Sequence, residues 1–178
     1  MRERNLFLGA LVAIGLVTAG VVVATQADLL LPPASTRAVL VDQLFRVLLG
    51  ISTVIFLLVE GALVYAIVRF RRRAGDDADG PPIHGNASLE ILWTLIPAAV
   101  VVIIGVYSFQ VLQAVEVPGN RPMVVEVVGR QFAWEFRYPA QNLTSSELHL
   151  PVDEPVLFQI TSEEVIHSFW IPDFRAKR

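Results

Sequence analysis

His167 is the residue whose type best suits metal chemistry, because neutral imidazole is a common nitrogen ligand for copper. It follows an acidic pair, Glu163 and Glu164, in an otherwise apolar stretch. A lone histidine in such a stretch is more often structural, so the residue type alone leaves ligation and packing open. The 178 residues contain no cysteine, which excludes disulfides and thiolate metal sites within this chain.

Two carboxylates stand beside or inside long apolar segments. Glu60 interrupts residues 47–68, and an acid within a membrane segment is costly enough to be a functional hypothesis by default. Protonation, or a bond to a neighbouring helix, would also explain it. Glu90 directly precedes the uncharged segment 91–115, where the dipole of a helix N-terminus favours a carboxylate. No paired catalytic carboxylates, nucleophile triad or phosphate-binding glycine loop stands out.

The elements that must carry these residues are mostly membrane helices. Apolar residues make up 54% of the chain and charged residues only 17%. Residues 47–68 and 91–115 are each long enough to cross a hydrocarbon core of roughly 30 Å, and lipid permits only helices there. We therefore predict a transmembrane hairpin in residues 28–115, with a loop at 69–90. Residues 1–27, with their apolar stretch, are either a signal peptide or an additional span.

Arginines predict the orientation of this hairpin. Four of them follow the second apolar segment within residues 69–73, and the positive-inside rule places that end in the cytoplasm. Arg2 and Arg4 before the first segment agree with this. Everything after the third segment is then outside. The net charge of −3 gives no basic surface for a nucleic acid, so the lipid bilayer is the first expected partner.

Residues 116–178 change to a pattern of short strands. Residues 123–129 are β-branched and apolar, and 131–138 alternate, with Phe132, Trp134 and Phe136 on one face. Residues 147–150 and 156–161 are further predicted strands. Turn-separated strands suggest a Greek-key β-sandwich, but about 65 residues supply only part of one. The predicted fold class is therefore membrane α + β, a hairpin followed by an incomplete sandwich.

Three blocks of sequence resemble cytochrome c oxidase subunit II. The first comprises His84-Gly85-Asn86 and LEILWTLIP at 89–97, which is similar to the start of the family's second conserved transmembrane helix. The second, VGRQFAWEFRYP at 128–139, resembles the aromatic strand of its cupredoxin domain. The third, VIHSFWIP at 165–172, resembles the segment with the first histidine ligand of the dinuclear copper A centre. The resemblance makes the sandwich a cupredoxin-like domain.

The resemblance implies a subunit of a bacterial respiratory oxidase in the cytoplasmic membrane, with its C-terminal domain on the periplasmic side. Such a subunit accepts electrons from cytochrome c at copper A and passes them to the haem and haem–copper centres of subunit I. There oxygen is reduced to water and protons are pumped. Subunits I and III, cytochrome c and the bilayer are the implied partners; the haems belong to subunit I.

The resemblance also assigns roles to residues. His167 would be a copper A ligand, and Glu90 would lie at the entrance of a proton path into subunit I. Phe132 stands where many relatives have the tryptophan through which the electron enters, with Trp134 nearby. Glu163 and Glu164 would dock a basic cytochrome c. It supplies no role for Glu60.

The remaining copper A ligands, two cysteines, a histidine, a methionine and a carbonyl, come from a later segment in the family. Before position 178 the chain has only Met1 and Met123 as methionines. We expect a fragment or a truncated product that binds no stable copper A and is inactive alone. Two alternatives stay open: subunit II of a quinol oxidase, which lacks copper A, and a truncated membrane scaffold that carries no electrons.

Overall fold

The chain is described by a computed structural model that covers residues 2–71, 75, 82, 85–117 and 119–178. Half of the predicted loop 69–90, including Arg72, Arg73 and His84, lies outside these residues. The chain divides into two compact units. One comprises Met1–Leu29 and Asp42–Phe109, and the other comprises Leu30–Val41 and Gln110–Arg178.

Within the described ranges, three helices carry the long apolar segments: α1 at Arg2–Gln26, α2 at Thr36–Phe70 and α3 at Ala87–Glu116. All three are long and apolar enough to cross a membrane, which confirms the helical part of the predicted fold. Polar side chains begin two of them by accepting orphan backbone N–H groups. The Ser35 hydroxyl accepts from Ala38 at 3.0 Å, and the Asn86 amide oxygen accepts from Leu89 at 3.2 Å.

A mixed β-sheet follows the helices. Four strands form it in the order β3-β2-β1-β4. Strands β1 and β2 make an antiparallel hairpin, whereas β1 and β4 run parallel because residues 131–155 cross back to the start of the sheet. Two short strands, β5 and β6, form a separate antiparallel pair. The strands span Met123–Arg130 (β1), Ala133–Tyr138 (β2), Leu143–Ser145 (β3), Val156–Ser162 (β4), Trp170–Ile171 (β5) and Ala176–Lys177 (β6).

The predicted strand at 147–150 is wrong. Its alternating apolar residues, Leu148 and Leu150, do pack against the core, but the segment joins no ladder. The backbone N–H of His149 instead donates to the hydroxyl of Tyr138 at 2.7 Å. The Tyr138 hydroxyl thus accepts the hydrogen bond that a neighbouring strand would otherwise accept. The apolar residues still alternate, because one face of the segment lies against the core.

Among the described residues of the β-region, one packed core cluster includes the buried side chains of Val125, Val127, Phe136, Tyr138 and Phe169. Phe169 comes from the segment after β4, which therefore closes over one face of the sheet. The described part of this unit also includes the helix ends. Arg37 donates to the carbonyl of Val117 at 2.6 Å, and the N–H of Ala34 donates to the carbonyl of Asp173 at 2.9 Å. The first bond joins the first turn of α2 to the residue after α3, and the second joins the segment before α2 to the β-region.

Candidate functional site

His167 lies half-buried in the loop between β4 and β5. Its Nδ1 is 2.6 Å from the carbonyl oxygen of Val165 and 2.9 Å from the hydroxyl of Ser162. The same hydroxyl donates to the Val165 carbonyl. Because a carbonyl oxygen only accepts, a hydrogen bond from the ring to Val165 requires the proton to be on Nδ1. The ring orientation is therefore set by its own loop.

An aromatic cluster packs against this imidazole. The rings of Trp134 and His167 meet edge-on, with centroids 5.8 Å apart and planes at 74°. Trp134 also contacts Phe169 at 5.3 Å, and Phe169 contacts Phe136 at 6.1 Å and Phe158 at 5.8 Å. Edge and tilted contacts of this kind suit the ring quadrupoles. Trp134 and Phe136 are thus packing residues, and His167 is fastened to the core of the sheet.

Gly129 makes this contact possible, although the sequence analysis did not single it out. A Cβ at this position would lie 3.1 Å from both Cβ and Cγ of His167 and 3.1 Å from Cζ3 of Trp134. A side chain at this position would require the imidazole or the indole to move away from the end of β1 by a few tenths of an ångström. Its one sequence signal is a glycine that ends a run of β-branched residues, at 123–129.

Phe132 does not lie in the strand predicted for residues 131–138. Residues 131 and 132 form the turn between β1 and β2, and the Phe132 side chain is 99% exposed. Its ring is therefore separated from the core that holds Trp134 and Phe136. Ile166, next to the histidine, is also 99% exposed. Both side chains therefore present apolar surface to the surroundings rather than to the core of this unit.

The two acids before the histidine, Glu163 and Glu164, have different surroundings. Glu163 forms an ion pair with Arg130, at 3.2 Å from Nε, and its own N–H donates to the carbonyl of Gly129. Glu164 is exposed and has a left-handed backbone, with φ of 71°. Arg130 also approaches Glu135, at 3.6 Å. The charge of Glu163 is partly compensated, whereas that of Glu164 faces solvent.

Glu135 continues this row of charges by binding Arg137. The hydrogen bond and the negative charge of Glu135 raise the pKa of Arg137 above its usual value. The guanidinium is therefore charged at every physiological pH. Side chains of alternating sign thus cover the polar face of the β1–β2 hairpin, which is the structural role expected of a solvated surface.

Glu90 and Glu60 belong to the other unit. Glu90 lies in the first turn of α3, where its N–H donates to the carbonyl of Asn86 at 3.0 Å. Its carboxylate folds back over Gly85, since a Cβ there would lie 2.6 Å from Oε1. Both carboxylates are on exposed positions of their helices in this chain. The structure therefore brings neither of them together with His167 in one unit.

The residues present do not fit a dinuclear copper centre. The described residues contain no group of three or more histidine, cysteine, aspartate or glutamate side chains able to hold a metal. His167 supplies a single imidazole, and the sequence has no cysteine. Met123 packs against the sheet core at the start of β1, at the opposite end of that strand from Gly129 and His167. These residues could therefore supply at most one ligand of such a site.

Known proteins resemble the chain along most of its length. Residues 24–111 match the family model described as "Cytochrome C oxidase subunit II, transmembrane domain". The cytochrome c oxidase subunit 2 of Synechocystis sp. is 38% identical over 82% of this chain and 58% of its own length. That of Thermostichus vulcanus is 34% identical over 90% of this chain and 68% of its own length. The quinol oxidase subunit 2 of Bacillus spizizenii is 33% identical over 74% and 44%, respectively.

The chain thus spans between two fifths and two thirds of the length of these relatives. The matches cover the predicted hairpin and extend into the β-region. They agree with the order of elements in the structure, in which membrane-length helices precede a mixed sheet. By its sequence matches and its fold, the chain belongs to the cytochrome c oxidase subunit II family.

Proposed function

We propose that this chain is subunit II of a respiratory haem–copper oxidase that uses cytochrome c as its electron donor. The observation that carries the proposal is the similarity to cytochrome c oxidase subunits 2 across both the helices and the sheet. In this role α2 and α3 lie in the bilayer beside subunits I and III. The β-region lies on the periplasmic side of the bacterial cytoplasmic membrane, where a soluble electron donor reaches it.

The complex as a whole transfers electrons to the haem centres of subunit I, reduces oxygen to water and pumps protons. Within it, this chain binds the donor and positions it. His167 is proposed as one copper A ligand, because its ring is held by Val165 and by the aromatic cluster. The other ligands are not among these 178 residues, so the chain alone is expected to be inactive.

Two side chains suit a role in donor binding. Phe132 offers an exposed ring at the β1–β2 turn, and Glu164 offers an exposed charge in the loop that precedes His167. Residues 116–178 carry nine acidic and six basic side chains, an excess that attracts a basic partner. Glu163 contributes less than Glu164, since Arg130 neutralises part of its charge.

Glu90 is proposed as the entrance of a proton path into subunit I. Its position supports this, because it lies at the first turn of α3, just before residues 91–115 enter the hydrocarbon. The adjoining surface of α3 is a depression formed by Ile91, Thr94 and Leu95. A carboxylate at this depth can exchange protons with water on one side and with a neighbouring subunit on the other.

The proposal is tested by producing the chain, with a C-terminal tag, together with subunits I and III. Purification through the tag should recover haem absorbance, and the complex should consume oxygen with reduced cytochrome c only when a complete subunit II is present. Absence of haem from the purified material would contradict the assignment as subunit II. Haem recovery without any oxygen uptake, even with a complete subunit II, would support the scaffold instead.

A quinol oxidase subunit is the second candidate. One observation favours it: quinol oxidase subunits 2 match the chain at 33% identity. The same purified complex distinguishes the two donors. Oxygen uptake with a quinol and none with reduced cytochrome c, in a complex without the near-infrared band of copper A, would establish the quinol oxidase.

A further inference from the structure

Helix α1 packs against α2 through a close crossing of two glycines. A Cβ at Gly20 would lie 2.8 Å from the carbonyl oxygen of Gly50 and 2.6 Å from Cγ2 of Val54. A Cβ at Gly50 would lie 3.2 Å from the carbonyl oxygen of Gly20. Each helix therefore has its glycine where the backbone of the other approaches, as in closely packed transmembrane helices.

Two further contacts continue the same interface. The Cβ of Ala24 lies 3.2 Å from the position of a Gly50 Cβ, one turn farther along α1. Beyond it, the guanidinium of Arg46 donates to the carbonyl oxygen of Thr25 at 3.2 Å. Carbonyls in the last turn of a helix have no partner within the helix, and a cation there is favoured by the dipole. Arg46 of α2 thus caps the end of α1.

The pairing is antiparallel, since residues later in α1 meet residues earlier in α2. Gly20 meets Gly50, and Thr25 meets Arg46. Helices joined by a short connection pack in this way. Gly15 and Gly61, by contrast, have no atom within 4 Å of a Cβ and lie outside the crossing. The contact is therefore local to one stretch of each helix rather than a general consequence of small residues.

We propose that α1 is a permanent third transmembrane helix of this subunit, docked on α2 at the Gly20–Gly50 crossing, and is not a leader removed during secretion. A removed leader has no need of a complementary surface on the mature protein. Proteolysis also requires an accessible and locally unfolded backbone. Small residues suited to leader cleavage stand at Ala24 and Ala27, but the helix continues to Gln26 and the carbonyl of Thr25 between them accepts from Arg46.

The first test is the mass of the full chain, purified from membranes through a C-terminal tag. The expected mass includes residues 1–27, apart from removal of the initiating methionine. A mass that begins near residue 28 would overturn the proposal. This measurement does not depend on the electron donor, so it is independent of the proposed function.

The second test uses the absence of cysteine from the natural sequence. The pair A24C and G50C should form a disulfide on mild oxidation in membranes, because the two Cβ atoms are 3.2 Å apart, close to the range that a disulfide requires. With a protease site inserted at residues 32–35, the oxidised fragments should remain joined after cleavage. The pair G15C and G61C is the control and should separate. Separation of both pairs would show that α1 does not dock on α2.

The third test asks whether the glycines themselves matter. G20L should disrupt the crossing and reduce cross-linking of the A24C and G50C pair several-fold, because the new side chain meets Val54 and the Gly50 backbone. G15L adds the same bulk at a position with open space and should leave cross-linking unchanged. Equal cross-linking in the two variants would refute the crossing as the source of the contact.

Discussion

At the scale of single residues, the closest approach in the site is that of His167 and Trp134 to Gly129. The change Gly129→Ala places a methyl group 3.1 Å from both side chains, so either they move or the end of β1 does. Overpacking of this kind costs about 1–3 kcal/mol. We expect the midpoint of unfolding in urea, followed by tryptophan fluorescence, to fall. Gly105→Ala, which meets no atom within 4 Å, should not lower it.

Glu164 differs from Glu163 in having a charge that faces solvent, so its removal should act on donor encounter. In the complete oxidase, Glu164→Gln is expected to raise KM for cytochrome c at low ionic strength while kcat stays unchanged. The difference should vanish with added salt, since exposed charges are screened beyond about 8 Å at 0.15 M. Glu147→Gln, also exposed, is the control; an equal effect there would assign the change to net charge alone.

The proposed proton-path role of Glu90 can be tested by substitution. If it admits protons to subunit I, Glu90→Ala should slow reduction of the haem–copper site and lower turnover several-fold. Glu90→Asp should restore much of the rate because it keeps an ionisable group. Glu116→Ala, at the other end of α3, serves as the control. Turnover that is unchanged in Glu90→Ala would reject the role.

At the scale of elements, Phe169 is the buried ring that anchors the segment after β4 to the sheet. Phe169 contacts Trp134, Phe136 and Phe158 and is 7% exposed. Phe169→Ala should therefore lower the free energy of unfolding of the β-region by about 3–5 kcal/mol. Phe132→Ala removes the same atoms from a side chain that is 99% exposed and should change it by about 0.5 kcal/mol or less. Equal losses would mean that the ring does not anchor the segment.

The elements also show how far sequence patterns extend. The spans 47–68 and 91–115 were predicted from apolar length and lie within α2 and α3. The strands at 123–129 and 156–161 were predicted correctly as well. The alternation at 147–150 was misread as a strand because period two reports which face is covered and not whether a neighbouring strand exists. Strand β3, at Leu143–Ser145, has no apolar pattern and was not predicted.

At the scale of the whole molecule, the four arginines at residues 69–73, after the second apolar segment, predict which side of the membrane each end of the chain faces. The cysteine-free sequence allows this to be measured with single cysteines. A membrane-impermeant maleimide added to intact spheroplasts should label Val152→Cys, whose native side chain is 85% exposed, and not Arg71→Cys. After permeabilisation both should react. Labelling of Arg71→Cys alone would place the β-region in the cytoplasm and remove the proposed route to an outside electron donor.

By itself, the sequence determined the membrane helices and the family. Long uncharged segments have only one stable form in lipid, and three motifs in order are specific to one family. Only the tertiary structure decided the parallel pairing of β1 with β4, the pairing of Arg130 with Glu163 rather than Glu164, and the docking of α1 on α2. Those features depend on contacts between residues about 20 to 40 positions apart. Local periodicity carries no information on such contacts, because it reports burial and not the identity of the neighbour.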